Sequence, residues 1–271
     1  MAQNGLFPVT YGRYGNRYWK RFTSYEFAAD QSNCAIVFDE IAQAAAAFPI
    51  VFNATERGVE PIALLSLSAN TPNPFVSQNG RWMAAYVPSF IRCHPFVADP
   101  VNCETDRDPT YRLIVNETSG LITNDPNHEA FFNDQGGLSP ALKEVQTFLQ
   151  TLAAARLKTR RLCNKILDLG LLDPIYTFGG VRLPSEALAI SSSRLEHLSH
   201  SEKIHLFDCG VVRLIHAHQV SLSHCTWVRQ AQFQRKQTRR SEKYTENSDI
   251  SGFLSAVANA QNDDFLGTYG V

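Results

Sequence analysis

The sequence has no long apolar run and almost no net charge. No stretch approaches the roughly 20 apolar residues that a membrane-spanning helix needs, and the first 21 residues lack the apolar core of a signal peptide. Twenty-five Lys and Arg residues stand against 26 Asp and Glu residues, so the formal net charge is −1. The chain therefore has no overall field that would attract nucleic acid or an anionic membrane. We expect a soluble, cytoplasmic protein that has neither a membrane nor a nucleic acid as its partner.

Familiar catalytic and metal-binding motifs are also absent. The sequence contains no Walker loop, no GxGxxG after a strand, no GxSxG elbow and no HExxH. Its six cysteines form no CxxC pair, so the spacing of zinc knuckles and thioredoxin-like motifs is missing. In a reducing compartment we interpret the cysteines as small buried or partly buried apolar residues. These absences favour a binding protein over an enzyme.

What the sequence does contain is enough apolar material for one large domain. Its 271 residues are 44% hydrophobic and 11% aromatic, which suffices for a core without disulfides or a structural metal. We predict an aromatic and basic N-terminal arm over residues 1–24, a main domain over 25–234 and a basic, polar tail over 235–271. The arm's rings are expected to pack on the domain and leave its charges in water; the alternative is an aromatic-basic surface for nucleic acid. The tail's basic cluster is interpreted as a solvated helix end, and its one candidate docking motif is Phe253, Leu254 and Val257.

The hydrophobic patterns predict an α+β fold, with a mixed or antiparallel sheet packed against a long helix and a C-terminal helical region. Apolar runs at 50–52, 62–67 and 111–115 predict strands, and the pair Asn79-Gly80 predicts a hairpin. Ser139 and Pro140 mark the start of a helix whose apolar residues recur at three- and four-residue steps. A helix of about 30 residues would be about 45 Å long. Because this is a long helix, a break near Lys158 is considered. Further helices are predicted over 184–198 and 201–230, the second interrupted at residues 209–210.

One candidate ligand-binding site lies in a segment that is rich in rings and prolines. It holds Trp82, Tyr86, Arg92 and His94, and Glu40 precedes an alanine-rich helix elsewhere in the chain. A guanidinium among rings requires a carboxylate partner or an anionic ligand. The interpretation that we favour is an ion pair between Arg92 and Glu40 that locks the helix to the loop. The alternative is a pocket for a carboxylate or peptide, with Trp82 and Tyr86 as its walls.

Histidine is distributed unevenly, which raises the question of a metal. Six of the eight histidines lie between residues 197 and 224. The candidate ligands are His218, His216, His205 and Cys209; His205 and Cys209 could share a helical face, whereas His216 and His218 could not. Ligand types for iron or zinc are therefore present, but no spacing demands a metal. We favour structural or surface histidines and no cofactor, with iron or zinc as the alternative.

Three separated segments resemble the SapC-like family. FPIVF at residues 48–52 is similar to the family's YPIVF element, and GRWMAAYVPSFIRCHPF at 80–96 to its G-x-W … Y-x-P-x-x-I-R-x-Y-P-F block. LIHAHQVSL at 214–222 is similar to its L-I-Y-A-H-x-x-S-L segment. His94 and His216 stand where tyrosines are usual. Any role that the family resemblance implies for a histidine can therefore be carried over to this chain only at His218. The resemblance implies an association with surface-layer genes, and with genes for cupin-like oxygenases and flavin-dependent tryptophan halogenases. It does not imply the peptide-transport permease of the same name, which spans membranes.

Three functions follow as hypotheses. The leading one is a non-catalytic accessory protein that holds a peptide, a protein or a small anion near Trp82, Tyr86 and Arg92. The second is a metal-dependent enzyme resembling non-haem iron oxygenases, in which His218 acts with other residues of 197–225 or with Glu40. The third is a structural subunit of a surface or filament assembly.

Overall fold

The computed structural model describes residues 5–68, 71–100 and 111–247. The chain divides into two compact units, Met1–Arg229 and Gln230–Val271. The architecture is α+β, as predicted, with antiparallel sheets, one long helix and several C-terminal helices. The division at residues 24 and 234 into arm, main domain and tail stays a prediction. The motif of Phe253, Leu254 and Val257 lies outside the described residues.

The strands are short. In chain order they are β1 (Leu6–Pro8), β2 (Tyr18–Trp19), β3 (Asn33–Ala35), β4 (Ile50–Thr55), β5 (Gly58–Leu64), β6 (Phe96–Pro100), β7 (Tyr111–Asn116), β8 (Ile122–Thr123), β9 (Glu129–Ala130), β10 (Leu172–Pro174), β11 (Thr177–Phe178), β12 (Val181–Arg182) and β13 (Leu188–Ile190). They pair antiparallel in sheets of order β10-β13-β4-β5-β3, β1-β7-β6, β8-β2-β9 and β11-β12.

The helices dominate the C-terminal half of the described chain. They are α1 (Tyr11–Tyr14), α2 (Ile41–Ala45), α3 (Ser89–Arg92), α4 (Pro140–Asp168), α5 (Ser192–His197), α6 (His200–Asp208), α7 (Val211–Ser221) and α8 (His224–Asn247). Turns of 3₁₀ helix lie at Glu26–Ala28, Phe38–Glu40 and Glu117–Ser119.

Strand β4 is the centre of the five-stranded sheet, and both of its faces are covered. Ile50 and Phe52 face a core formed with α2, α7 and the C-terminal half of α4, whereas Val51 faces a smaller core with Ile62 and Leu222. A strand buried on both faces reads as a continuous apolar run, which is why the sequence signal at 50–52 is strong.

Helix α4 joins two hydrophobic cores. The Ser139 hydroxyl accepts a hydrogen bond from the N–H of Leu142 at 3.1 Å, and Pro140 occupies the first turn. Its N-terminal half packs on the β1-β7-β6 sheet and its C-terminal half on the core beneath β4. The helix is continuous to Asp168, so the break considered near Lys158 is not present.

Two further predictions are corrected. The segment 184–190 is not helical: Leu188 pairs with Phe52 of β4, and helix α5 begins only at Ser192. Gly210 interrupts the second predicted helix as expected, with a left-handed φ of 78°, but α8 extends the helical region to Asn247, into the predicted tail. The predicted hairpin at Asn79-Gly80 is present as one bridge between Val76 and Trp82.

Two of the N-terminal rings belong to the core, as the packing interpretation predicts, whereas Tyr11 is 54% exposed. Tyr14 and Trp19 are buried, and Tyr14 stacks on Phe131 with ring centroids 4.7 Å apart. Arg13 forms a salt bridge with Glu117 at 2.8 Å. Arg17 also pairs with Glu117, and Arg21 pairs with Glu129, so three arginines of this segment form ion pairs at the surface.

Candidate functional site

A buried carboxylate organises the candidate site. Glu40 ends the 3₁₀ turn Phe38–Glu40 and is 5% exposed. Its Oε1 accepts a hydrogen bond from the N–H of Val37 at 3.1 Å. Its Oε2 accepts from the Tyr86 hydroxyl at 2.6 Å, from the Ser89 N–H at 2.9 Å and from the Ser89 hydroxyl at 2.8 Å. Glu40 is an acceptor in all four bonds, as an ionised carboxylate is, and these bonds offset the cost of its burial.

Arg92 reaches this carboxylate only through hydroxyl groups. Arg92 ends the single turn of α3, and its Nη2 donates to the Ser89 hydroxyl at 2.8 Å and to the Tyr86 hydroxyl at 3.3 Å. Both hydroxyls in turn donate to Glu40. In the described structure the direct Arg92–Glu40 ion pair that we favoured from the sequence is therefore replaced by a relay through Ser89 and Tyr86.

The Arg92 guanidinium lies near two aromatic rings at the surface. Its carbon is 5.8 Å from the ring centroid of Tyr86 and 5.6 Å from that of Phe148 on α4. Both distances lie within the range of cation–π attraction. Arg92 is exposed, and Phe148 is 37% exposed. We call Arg92, Tyr86 and Phe148 the Arg92 surface.

Trp82 is a core residue and not a pocket wall. It is 9% exposed and packs near Phe48, Phe75 and Tyr25, with ring centroids 6.2, 6.4 and 5.4 Å away. Its Nε1 donates to the carbonyl oxygen of Tyr86 at 2.7 Å, which positions the chain just before α3. Burial, and next the hydrogen bond to Glu40, raise the pKa of Tyr86 to about 12. The Tyr86 phenol consequently stays protonated at neutral pH.

His94 belongs to a different cluster of rings. It stacks on Phe27 with centroids 3.7 Å apart and an interplanar angle of 8°, and it meets the edge of Phe22. Burial lowers the pKa of His94, which keeps the imidazole neutral at neutral pH. Of the five residues predicted for ligand binding, the structure brings Glu40, Tyr86 and Arg92 into one hydrogen-bonded group.

Two members of the site were missed in the sequence. Ser89 follows Pro88 and is the first residue of the very short helix α3. The proline–serine pair was the one sequence signal that a helix could begin here. Phe148 is one of the apolar residues that recur at helical spacing along the predicted long helix, so the pattern alone gave it a packing role. Its approach to Arg92 depends on how α4 packs, which no local pattern shows.

The metal-ligand candidates do not converge. His218 is fully buried on α7, whereas His216 is exposed on the same helix. His205 is exposed with Nε2 3.0 Å from Lys165 Nζ, and the Cys209 thiol contacts the carbonyl oxygen of Leu206. Among the residues that the structure describes, no three His, Cys, Asp or Glu side chains form a group that could hold a metal ion.

The His218 ring is instead engaged by backbone groups on both sides. Its Nδ1 donates to the carbonyl oxygen of Ile50 at 2.7 Å, and its Nε2 accepts from the N–H of Ile190 at 3.2 Å. This arrangement requires the neutral tautomer with the proton on Nδ1. Burial lowers the pKa of His218 to about 4, although the hydrogen bond to Ile50 acts in the opposite direction. Ser221 accepts from the Ile50 N–H at 2.9 Å, so both polar groups of one residue are held by α7.

Comparison with known proteins identifies the family. The SapC family model matches residues 10–226. The chain belongs to the SapC family. No curated protein and no solved structure gives a significant match.

The three SapC-like segments are neighbours in the fold. The segment at 214–222 supplies His218 and Ser221, which hold Ile50 of the segment at 48–52. Trp82 of the segment at 80–96 packs near Phe48 of the same strand region. These SapC segments therefore meet around the start of β4.

Four cysteines of this SapC protein are buried thiols of low reactivity. Cys34, Cys93, Cys163 and Cys225 are buried free cysteines, and Cys209 is partly exposed; Cys103 lies outside the described residues. Burial raises the pKa of Cys34, Cys93 and Cys163 to about 12 and that of Cys225 to about 11. Since thiolates are the reactive form, these side chains act as apolar filling.

The described helices also include none that is long and apolar enough to cross a membrane.

Proposed function

We propose that this SapC-family protein is a non-catalytic binding protein that takes an anionic ligand, as a peptide, a protein or a small anion, at the Arg92 surface. The observation that carries the proposal is that the Arg92 guanidinium is exposed and has N–H groups without a hydrogen-bond acceptor in the described structure. Arg92 is exposed and its hydrogen bonds in the described structure use Nη2, which leaves the N–H groups of Nε and Nη1 for a ligand.

The surrounding residues hold Arg92 in one position before any ligand arrives. Two hydroxyls fix Nη2, and the rings of Tyr86 and Phe148 lie against the guanidinium. A side chain that is already ordered loses less conformational entropy on binding, which favours affinity. An arginine on a short helix with its own hydrogen-bonded support suits recognition of a carboxylate or phosphate oxygen.

The same contacts favour binding over proton transfer. The Glu40 carboxylate accepts four hydrogen bonds and is buried, and the Tyr86 phenol has a pKa of about 12. The Ser89 hydroxyl donates to Glu40 and accepts from Arg92. Each group is occupied in supporting Arg92. A peptide or protein ligand also agrees with the association with surface-layer genes that the family resemblance implies.

A titration followed by NMR tests this proposal. Acetate, phosphate and an acetylated peptide are each added to the ¹⁵N-labelled full chain, and we expect shifts at the Arg92 Nε–H and at the Ser89 amide. Arg92→Gln should abolish ligand binding. Arg112→Gln is the matched control, because Arg112 is also exposed but already pairs with Asp99 at 2.7 Å. Binding that Arg92→Gln and Arg112→Gln weaken equally would exclude the Arg92 surface as the binding site.

A further inference from the structure

The Arg92 surface places an exposed aromatic ring directly beside its cation. The guanidinium carbon lies 5.6 Å from the ring centroid of Phe148, and that ring is 37% exposed. Phe148 lies in the N-terminal half of α4, and the helical backbone fixes the place of this residue beside Arg92. Any group that accepts a hydrogen bond from Nε or Nη1 therefore lies next to exposed apolar surface.

The charge of the site suits a monoanion. The contacts of this cluster in the described residues contain one cation, Arg92, and one carboxylate, Glu40, linked through Tyr86 and Ser89. The nearby negative charge already offsets part of the guanidinium's field. A doubly charged phosphate group is bound best by several cations together, whereas a carboxylate is matched by one arginine.

An exposed ion pair alone is weak, because water screens it and the side chains lose freedom. The remaining binding energy must come from apolar surface buried at the same time. Since the ring lies against the guanidinium itself, the ligand's apolar group must be attached close to its carboxylate. The last residue of a chain meets this requirement, because its carboxylate and its side chain are bonded to the same Cα. An internal acidic residue and an apolar residue on the same side of an extended chain are about 7 Å apart.

We propose that the Arg92 surface binds the free C-terminal carboxylate of a peptide or protein whose last residue has an apolar side chain; this inference rests on the proposed function. The carboxylate accepts a hydrogen bond from one free N–H of Arg92, on Nε or on Nη1, and the last side chain covers the exposed part of Phe148. Arg92 is thus the anion-binding residue and Phe148 the residue that selects the side chain.

Four acetylated peptides of one common sequence test this inference; three differ only at the C-terminal end, and the fourth also carries an internal substitution. One ends in leucine with a free carboxylate, one in leucine amide, one in glycine with a free carboxylate, and one is amidated with an internal aspartate. Inorganic phosphate is the fifth probe. In titrations of the full chain we expect the leucine acid to bind most tightly, with the amide about tenfold weaker because it lacks the charge and the glycine acid about fivefold weaker because it lacks the apolar contact.

Two variants and their controls locate the contacts. Arg92→Gln should remove the difference in affinity between the leucine acid and the leucine amide peptides, whereas Arg112→Gln should keep that difference. Phe148→Ala should remove the difference between leucine and glycine and leave the acid–amide difference in place. Phe207→Ala, which removes a ring that is 74% exposed on α6, should change neither. Thermal denaturation confirms that all four variants are folded.

The outcomes separate this inference from the proposed function. If phosphate or the internal aspartate peptide binds as tightly as the leucine acid and depends on Arg92, the inference is overturned and the proposed function stands. If no anion's affinity changes in Arg92→Gln, both are overturned. A leucine preference that Phe148→Ala does not reduce also overturns the inference.

Discussion

His218 donates a hydrogen bond from Nδ1 to the carbonyl oxygen of Ile50, across 2.7 Å and 168 residues of sequence. Strand β13 is paired with β4 at Leu188 and Phe52. At Ile190 the imidazole stands between the two strands and bonds to both, because its Nε2 accepts from the Ile190 N–H. The ring thus serves as a link in the sheet where two strands diverge, and it satisfies buried backbone groups that would otherwise have no partner.

Loss of this link should destabilise the protein markedly. His218→Ala leaves the Ile50 carbonyl and the Ile190 N–H unsatisfied, and we expect the free energy of unfolding to fall by about 3 kcal/mol. His216→Ala on the same helix changes an exposed side chain and should cost less than about 0.5 kcal/mol. Denaturant unfolding measures both. Equal losses would show that the His218 link contributes nothing specific.

Protonation of His218 should make the fold sensitive to acid. Its pKa is lowered from 6.5 to about 4 in the folded chain, so between these values the unfolded chain binds more protons. The contribution to stability is therefore complete above pH 6.5 and is lost as the pH falls toward 4, by about 3 kcal/mol in total. Unfolding free energies measured from pH 7 to 4 should fall more steeply for the wild type than for His218→Gln. Parallel curves would contradict this assignment.

Glu40 should act as a positioning residue for Arg92. In Glu40→Gln an amide must replace a carboxylate that accepts four hydrogen bonds, so at least one donor faces another donor. We expect a loss of about 2 kcal/mol in unfolding free energy and a change in the NMR signal of Arg92 Nε–H. Asp39→Asn is the control, because Asp39 is 57% exposed and pairs with Lys158 at the surface. An unchanged Arg92 signal in a folded Glu40→Gln variant would argue against the relay.

Chelation should leave the protein unchanged. Both ring nitrogens of His218 are engaged by the backbone, and the other candidate ligands lie apart from it. We expect the same Tm after EDTA treatment and after addition of iron or zinc, whereas a metal at 100 times its Kd would stabilise the fold by about 2.7 kcal/mol. Close to one metal per chain in elemental analysis would instead favour the enzyme hypothesis.

Local sequence signals predicted the elements whose causes are local. The start of α4 follows from Ser139 and Pro140, and its amphipathic face follows from apolar residues at helical spacing. Strand β4 was predicted because a strand buried on both faces is a continuous apolar run. The three-residue strand β13 was mistaken for helix, because its conformation depends on pairing with β4, about 140 residues earlier in the chain.

By itself the sequence determined the α+β class, the long helix, the family and the presence of Arg92 among rings. The tertiary structure alone decided what surrounds those residues: hydroxyls between Arg92 and Glu40, Phe148 beside the guanidinium and backbone groups on both sides of His218. The reason is physical. Helical and strand periodicities are encoded over a few neighbouring residues, whereas a hydrogen bond or ring contact joins atoms that only the packing of distant segments brings together.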